Sequence, residues 1–174
     1  VKNIPATQIT SADDGADGTL RIQYGALCWR LRKGKPEVLL ITSRDTGRWI
    51  IPKGWPIPEL TPEGSAAREA FEEAGVEGRV NPNCIGCYPY DKGFGLHEGT
   101  LQTVPCVVSV YTLQIDRLRN RYPESRQRLR KWFTPQKAAT MVAEPELQSL
   151  LAGFGTPVQE PLGNKAPDAP GSTS

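Results

Sequence analysis

Between Gly54 and Gly75 the sequence reads GWPIPELTPEGSAAREAFEEAG, and Glu69, Glu72 and Glu73 fall within five residues of one another. At about 100° per residue a helix places all three carboxylates within an arc of about 100°. Ala67, Ala70, Phe71 and Ala74 occupy the opposite arc, so the spacing predicts a small apolar stripe packed on a sheet, with the acidic stripe pointing away from it. Two readings of the acids are open. One is a solvated face, helped by an Arg68–Glu72 pair at i,i+4 worth about 0.2–0.5 kcal/mol. The other is a cation site: Glu69 and Glu73 are like charges at i,i+4, a repulsion of similar size that a bound cation offsets. Magnesium is held by one or two carboxylates, waters and substrate phosphates, so the second reading implies phosphate chemistry.

The run Gly54, Arg68, Glu69, Glu72, Glu73, Gly75, Val76 resembles the Nudix box, G-x5-E-x7-R-E-U-x-E-E-x-G-U with U aliphatic, and every spacing among these seven positions agrees. The flanking stretches SRDTGRWIIPKGWP and RKWFTPQKAA are similar to the branch of Nudix hydrolases that contains diphosphoinositol-polyphosphate and diadenosine-polyphosphate hydrolases. The resemblance covers roughly residues 20–154 and implies an α/β/α sandwich, a mixed β-sheet between helices.

It also implies hydrolysis of a diphosphate that joins a nucleoside or inositol moiety to another group, with Mg2+ or Mn2+ as cofactor. Carried over by position, Glu69, Glu72 and Glu73 are metal ligands, the Gly54 carbonyl is a further oxygen ligand, and Arg68 orients a glutamate through an ion pair. Glu69 is favoured as the base, and Arg68 and Glu72 complete the catalytic set. Two positions depart from the pattern. Leu60 stands where the box has a glutamate, with Glu59 one place early, and Ala70 fills the aliphatic position.

Arg44, Arg48 and Lys53 precede the box closely, and forked guanidinium donors suit substrate phosphates; the bland alternative is a soluble turn surface. The segment from Asp116 to Lys131 carries seven Lys or Arg against two acids, read as a solvated face or as a surface for a highly phosphorylated substrate. Tyr88, Tyr90, Trp55 and Phe94 are candidates for stacking on a base, or for the core. The leading function is hydrolysis of a diphosphoinositol polyphosphate or dinucleoside polyphosphate. The alternatives are a pyrophosphohydrolase of RNA 5′ ends and a nucleotide-sensing module without catalysis.

The elements that must position these residues follow from local pattern. QYGALCWRL and EVLLITS, split by RKGKPE, predict a hairpin, and RWIIP a further strand piece. Thr61, Pro62 and Gly75 predict a helix over Pro62–Ala74 by N-cap, first-turn proline and C-terminal glycine. VEGRV and CIGCYPY read as strands, 91–103 as a Gly-rich loop, VPCVVSVYTLQI as a central strand, and 135–154 as a helical region broken near Pro145. Strands, one helix, more strands and a last helix indicate an α+β chain.

With 174 residues and 38% hydrophobic content, one domain is expected over 20–155, between flexible tails at 1–19 and 156–174. A net charge of +2 permits an anionic small molecule and argues against a nucleic-acid partner. No apolar run is long enough to span a membrane, so a soluble cytoplasmic protein is expected; nothing in the sequence forbids a homodimer. The four cysteines read as reduced, buried thiols, and the C-x-x-C of Cys84 and Cys87, with only His97 as a nitrogen ligand, is a weak zinc candidate.

Overall fold

A computed structural model describes residues 20–155; the stretches 1–19 and 156–174, expected to be flexible tails, lie outside the described residues. Strands β1 (Arg21–Arg32) and β2 (Lys35–Thr42) form the expected hairpin, followed by β3 (Trp49–Ile50), β4 (Lys53–Gly54) and helix α1 (Pro62–Ala74). Then come β5 (Val76–His97), β6 (Thr100–Leu118), β7 (Arg130–Phe133), α2 (Pro135–Met141) and α3 (Pro145–Ala152). The sheet runs β3-β2-β1-β6-β5, with β4 on β1 and β7 on β2. β1 and β6 are parallel and the other pairings antiparallel, so the sheet is mixed.

Helices cover both faces, and the central strands are therefore buried on both parities. Ala26, Cys28, Leu39 and Ile41 face α1, while Leu27, Trp29, Val38 and Leu40 face α2 and α3. This is the expected α+β sandwich.

Helix α1 has the limits its caps predict. The Thr61 hydroxyl accepts from Gly64 N at 3.2 Å, and Gly75 closes the other end in the left-handed region. Its buried face differs from the expectation, however. Ser65, Ala66, Ala70, Glu73 and Ala74 are buried, whereas Ala67 and Phe71 are only half-buried. Alanines at i, i+4 and i+8 let the helix lie close on the sheet, and Glu73, one position before Ala74, is carried into that contact. The acidic stripe is thus split: Glu73 faces inward.

The stretch 91–103 is also corrected. It is not a loop but the end of a long hairpin, with pairing continuing to His97↔Thr100. Glu98 and Gly99, at φ 51 and 80, make a two-residue turn suited to the strand twist, so the glycines extend a ladder that the following LQTV segment completes. The last region breaks at Pro145 as expected, and Thr134 caps α2 by accepting from Lys137 N at 3.2 Å.

Candidate active site

The two-residue strand β4 fixes the box glycine. Gly54 pairs with Tyr24 and Lys53 with Gly25, so the chain passes directly beneath α1. A Cβ at Gly54 would lie 2.1 Å from the Glu69 Cδ and Oε1, so only glycine admits this carboxylate. Glu73 lies alongside: its Oε2 accepts from Lys53 N at 3.0 Å and its Oε1 from Arg128 Nη2 at 2.6 Å.

Arg128 is the centre of a buried network. It also donates through Nε to Glu124 Oε2 at 2.5 Å and through Nη1 to the Thr42 carbonyl at 3.0 Å. Glu124 N donates to the Glu72 carbonyl at 3.0 Å, and Arg130 Nη1 donates to the carbonyls of Ala74 and Arg119 at 2.8 and 2.7 Å. Most of the basic segment is exposed, as a solvated face is, with Arg117, Arg119, Arg121, Arg126 and Lys131 on the surface. Two of its arginines strap the C-terminal end of α1 to the sheet.

The charges respond to this crowding. Burial, then Glu73, Glu72 and Glu124, push the Glu69 carboxyl up to about 7, with Arg128 opposing. Burial also raises Glu73, against the pull of Arg128 and of the Lys53 amide. Burial lowers the Lys53 ammonium to about 8; Glu73 opposes, and Lys92 and Arg48 add to the fall. Its Nζ lies 4.8 Å from the centre of the Tyr90 ring.

The structure brings Glu69, Glu73, Gly54 and Lys53 together, with Glu72 contributing to the field at Glu69. It does not bring in Arg68. That side chain forms no ion pair among the described residues and borders a shallow outer groove with Leu60, Ala67 and Phe71. The glutamate-orienting ion pair implied for Arg68 is made by Arg128 instead. Arg44 reaches Glu124 at 3.4 Å and Gln127 at 3.3 Å, at the rim of the acidic cluster. Arg48 pairs with Glu144, the residue before α3, at 2.7 Å.

Of the aromatics, Tyr88 is core, Tyr90 hydrogen-bonds Gln23, and Trp55 is 39% exposed beneath Lys92. The side chains of Phe94 and His97 lie outside the described residues. Glu59 is exposed in a left-handed turn and is not among the groups that shift Glu69, whereas Glu124 is. Sequence reasoning missed Arg128, Glu124 and Glu144. The one available signal was the i,i+4 spacing of Glu124 and Arg128 inside the basic run.

The donor set suits a hard divalent cation: carboxylate oxygens at Glu69 and Glu72, a backbone carbonyl at Gly54, and a glycine cradle with no room for a side chain. Among the described residues no three His, Cys, Asp or Glu side chains are gathered tightly enough to hold a metal by themselves.

A mixed sheet sandwiched between helices, with a carboxylate-bearing helix over a glycine strand, defines an α/β/α fold built around one acidic helix. A NUDIX domain model matches residues 21–153, and the chain belongs to that family. Diphosphoinositol polyphosphate phosphohydrolase 3-alpha of Mus musculus is 44% identical over 54 residues, 31% of this chain and 33% of that protein. The chain thus matches about a third of the length of that relative. Nudix hydrolase 16, mitochondrial, of Arabidopsis thaliana is 32% identical over 120 residues, 68% of this chain and 65% of that protein. The Ap4A hydrolase of C. elegans superposes with a TM-score of 0.54 at 22% identity, over 76% of this chain and 94% of the other, a likeness of fold. No helix among the described residues is long and apolar enough to cross a membrane.

Proposed function

We propose that this chain hydrolyses a P–O–P bond in a phosphorylated small molecule, a diphosphoinositol polyphosphate or a dinucleoside polyphosphate, with Mg2+ or Mn2+. The observation that carries the reading is the crowding of Glu69 by Glu72, Glu73 and Glu124 over a glycine with no room for a side chain. A set of acids that raises its own pKa is costly unless a cation enters it.

In this reading Glu69, Glu72 and the Gly54 carbonyl hold the metal, and Glu73 closes the set from the sheet side. The metal, when bound, neutralises phosphate oxygens and makes water a better nucleophile. Glu69 accepts the proton of the attacking water. Lys53, Arg48 and Arg44 bind and orient phosphates beyond the reacting one. Arg128 pulls Glu73 toward its charged form against the effect of burial and holds it in place. A cytoplasmic setting belongs to the same reading.

The RNA alternative rests on the basic run alone, two of whose seven cations, Arg128 and Arg130, are used inside the fold. The test is a panel of diphosphoinositol, dinucleoside and RNA 5′-triphosphate compounds assayed with Mg2+ and Mn2+ and scored by product. Glu72→Gln and Glu73→Gln proteins that still fold should lose turnover. Absence of turnover across the panel, with no metal uptake by calorimetry, would end the proposal.

A further inference from the structure

The C-x-x-C of Cys84 and Cys87 is not used by the acidic site, and its geometry departs from that of an ordinary strand. In a regular strand residues i and i+3 point to opposite faces. Here the register slips. Cys84 stands opposite Tyr111, Gly86 opposite Val110 and Cys87 opposite Ser109, so Ile85 is an extra residue on β5. The two cysteines therefore face partners two positions apart on β6, which places both on the same face.

Contacts agree with that placement. Cys87 Sγ lies 3.7 Å from Ser109 Oγ, and the Tyr111 hydroxyl, pushed up first by burial, is raised further by Cys84 and Cys87. The local sequence builds the irregularity. Pro82 cannot donate to the ladder, Asn83 N donates to Asn81 Oδ1 at 2.9 Å, and β5 is the sheet edge, where bulges are tolerated. Both thiols are free and exposed, while Cys28 and Cys106 are free and buried, which corrects the expectation that the cysteines are all buried.

We propose that Cys84 and Cys87 form a reversible dithiol–disulfide site whose reaction partner is a low-molecular-weight disulfide. Cys84 or Cys87, as thiolate, attacks one sulfur of the partner and releases one thiol. The second cysteine, losing its proton, attacks the protein sulfur of the mixed disulfide and releases the other. The protein pair is oxidised by two electrons and the partner is reduced to two thiols.

Two rungs of strand span about 6.6 Å, at the upper edge of the Cα separation a disulfide accepts. Closure draws the bulge together at Gly86, which has no side chain to obstruct it. The resulting bond is exposed and strained, hence easily reduced. Among the described residues no cation is one of the groups that shift the Cys87 thiol; partial burial raises it most, the Ser109 hydrogen bond opposes and Cys84 adds to the rise, so closure accelerates with rising pH. Zinc is the weaker occupant, because a structural site needs four ligands and no third His, Cys, Asp or Glu joins the pair among the described residues.

The experiment equilibrates the whole protein at pH 8 in glutathione buffers of increasing oxidised fraction, quenches with acid and alkylates the remaining thiols. The tryptic peptide 80–92 carries both cysteines and is read by mass. The expected result is concerted loss of two of the four thiols, no retained glutathione, and full reversal in excess reduced glutathione. Cys84→Ser and Cys87→Ser proteins should each keep one glutathione on the remaining cysteine. Stable glutathione adducts on the unaltered protein, thiol loss confined to Cys28 or Cys106, or no loss in the most oxidising buffer would each overturn the proposal.

Discussion

Each face of the sheet carries one buried glutamate held by an arginine, and the two pairs are built differently. On the α1 face Arg128 and Glu73 are 5% and 10% exposed, and both Glu73 oxygens have partners. On the opposite face Arg48 is 36% exposed and Glu144 9%, and Glu144 Oε2 is buried with no hydrogen-bond partner. The first pair is closed on every side, as a buried carboxyl and its guanidinium partner need to be if they are to stay fixed without water. The second is anchored at one end only, and its arginine reaches solvent. In the proposed reaction the fixed pair stands beside the chemistry, and the cation free to turn toward a phosphate stands at the rim.

Arg128→Met breaks the closed pair and should have the largest effect. It leaves Glu73 buried without its cation and frees Glu124, with an expected loss of about 3–5 kcal/mol in denaturant unfolding. Turnover should vanish even where the protein remains folded. If stability is unchanged, the pair does not hold the helix as described.

Glu69→Gln tests the crowding itself. The raised pKa means that the folded chain holds the Glu69 proton more tightly than the unfolded chain does, between the ordinary 4.5 and about 7. Its contribution to stability is thus lost as pH rises through about 7. In metal-free buffer the Gln protein should melt higher than the unaltered one at pH 8, with the gap closing toward pH 5. Turnover should fall by about 10²–10⁴, the usual worth of a general base. A melting difference independent of pH would remove Glu69 from the crowded set.

Gly54→Ala sharpens the comparison by displacing Glu69 without touching either ion pair. The new methyl meets the end of a flexible side chain, which can swing away, so folding should survive. Turnover should drop by about 10²-fold from misplacement alone. Last comes the open pair. Arg48→Ala should raise KM with a smaller change in kcat, and should cost about 1–3 kcal/mol because the Glu144 carboxyl then loses its hydrogen bond from Arg48. Equal losses in kcat from Arg48→Ala and Arg128→Met would show that the two faces do not differ in role.

Much of this was legible beforehand, where signals were local. Thr61, Pro62 and Gly75 set both limits of α1, the hairpin of β1 and β2 followed from its turn, and Pro145 split the last helical region. The inward turn of Glu73 was not legible. Ala66, Ala70 and Ala74 compete with Ala67 and Phe71 for the sheet, and periodicity alone cannot rank two alanine-rich arcs some 90° apart. The 91–103 stretch misled because glycines serve loops and hairpins alike until a pairing partner is known.

By itself the sequence determined the acidic helix, its caps, the glycine at its foot and the family to which the chain belongs, because those features depend on neighbours a few residues apart. Only the tertiary structure decided which arginine serves Glu73, that Glu124 joins the carboxylates, and that Arg68 does not pair with them. Arg128 lies 55 residues from Glu73, and its burial against the Thr42 carbonyl, not its charge, singles it out among the seven cations of that segment. Burial and long-range contact exist only once the chain has closed on itself, so no local pattern encodes them.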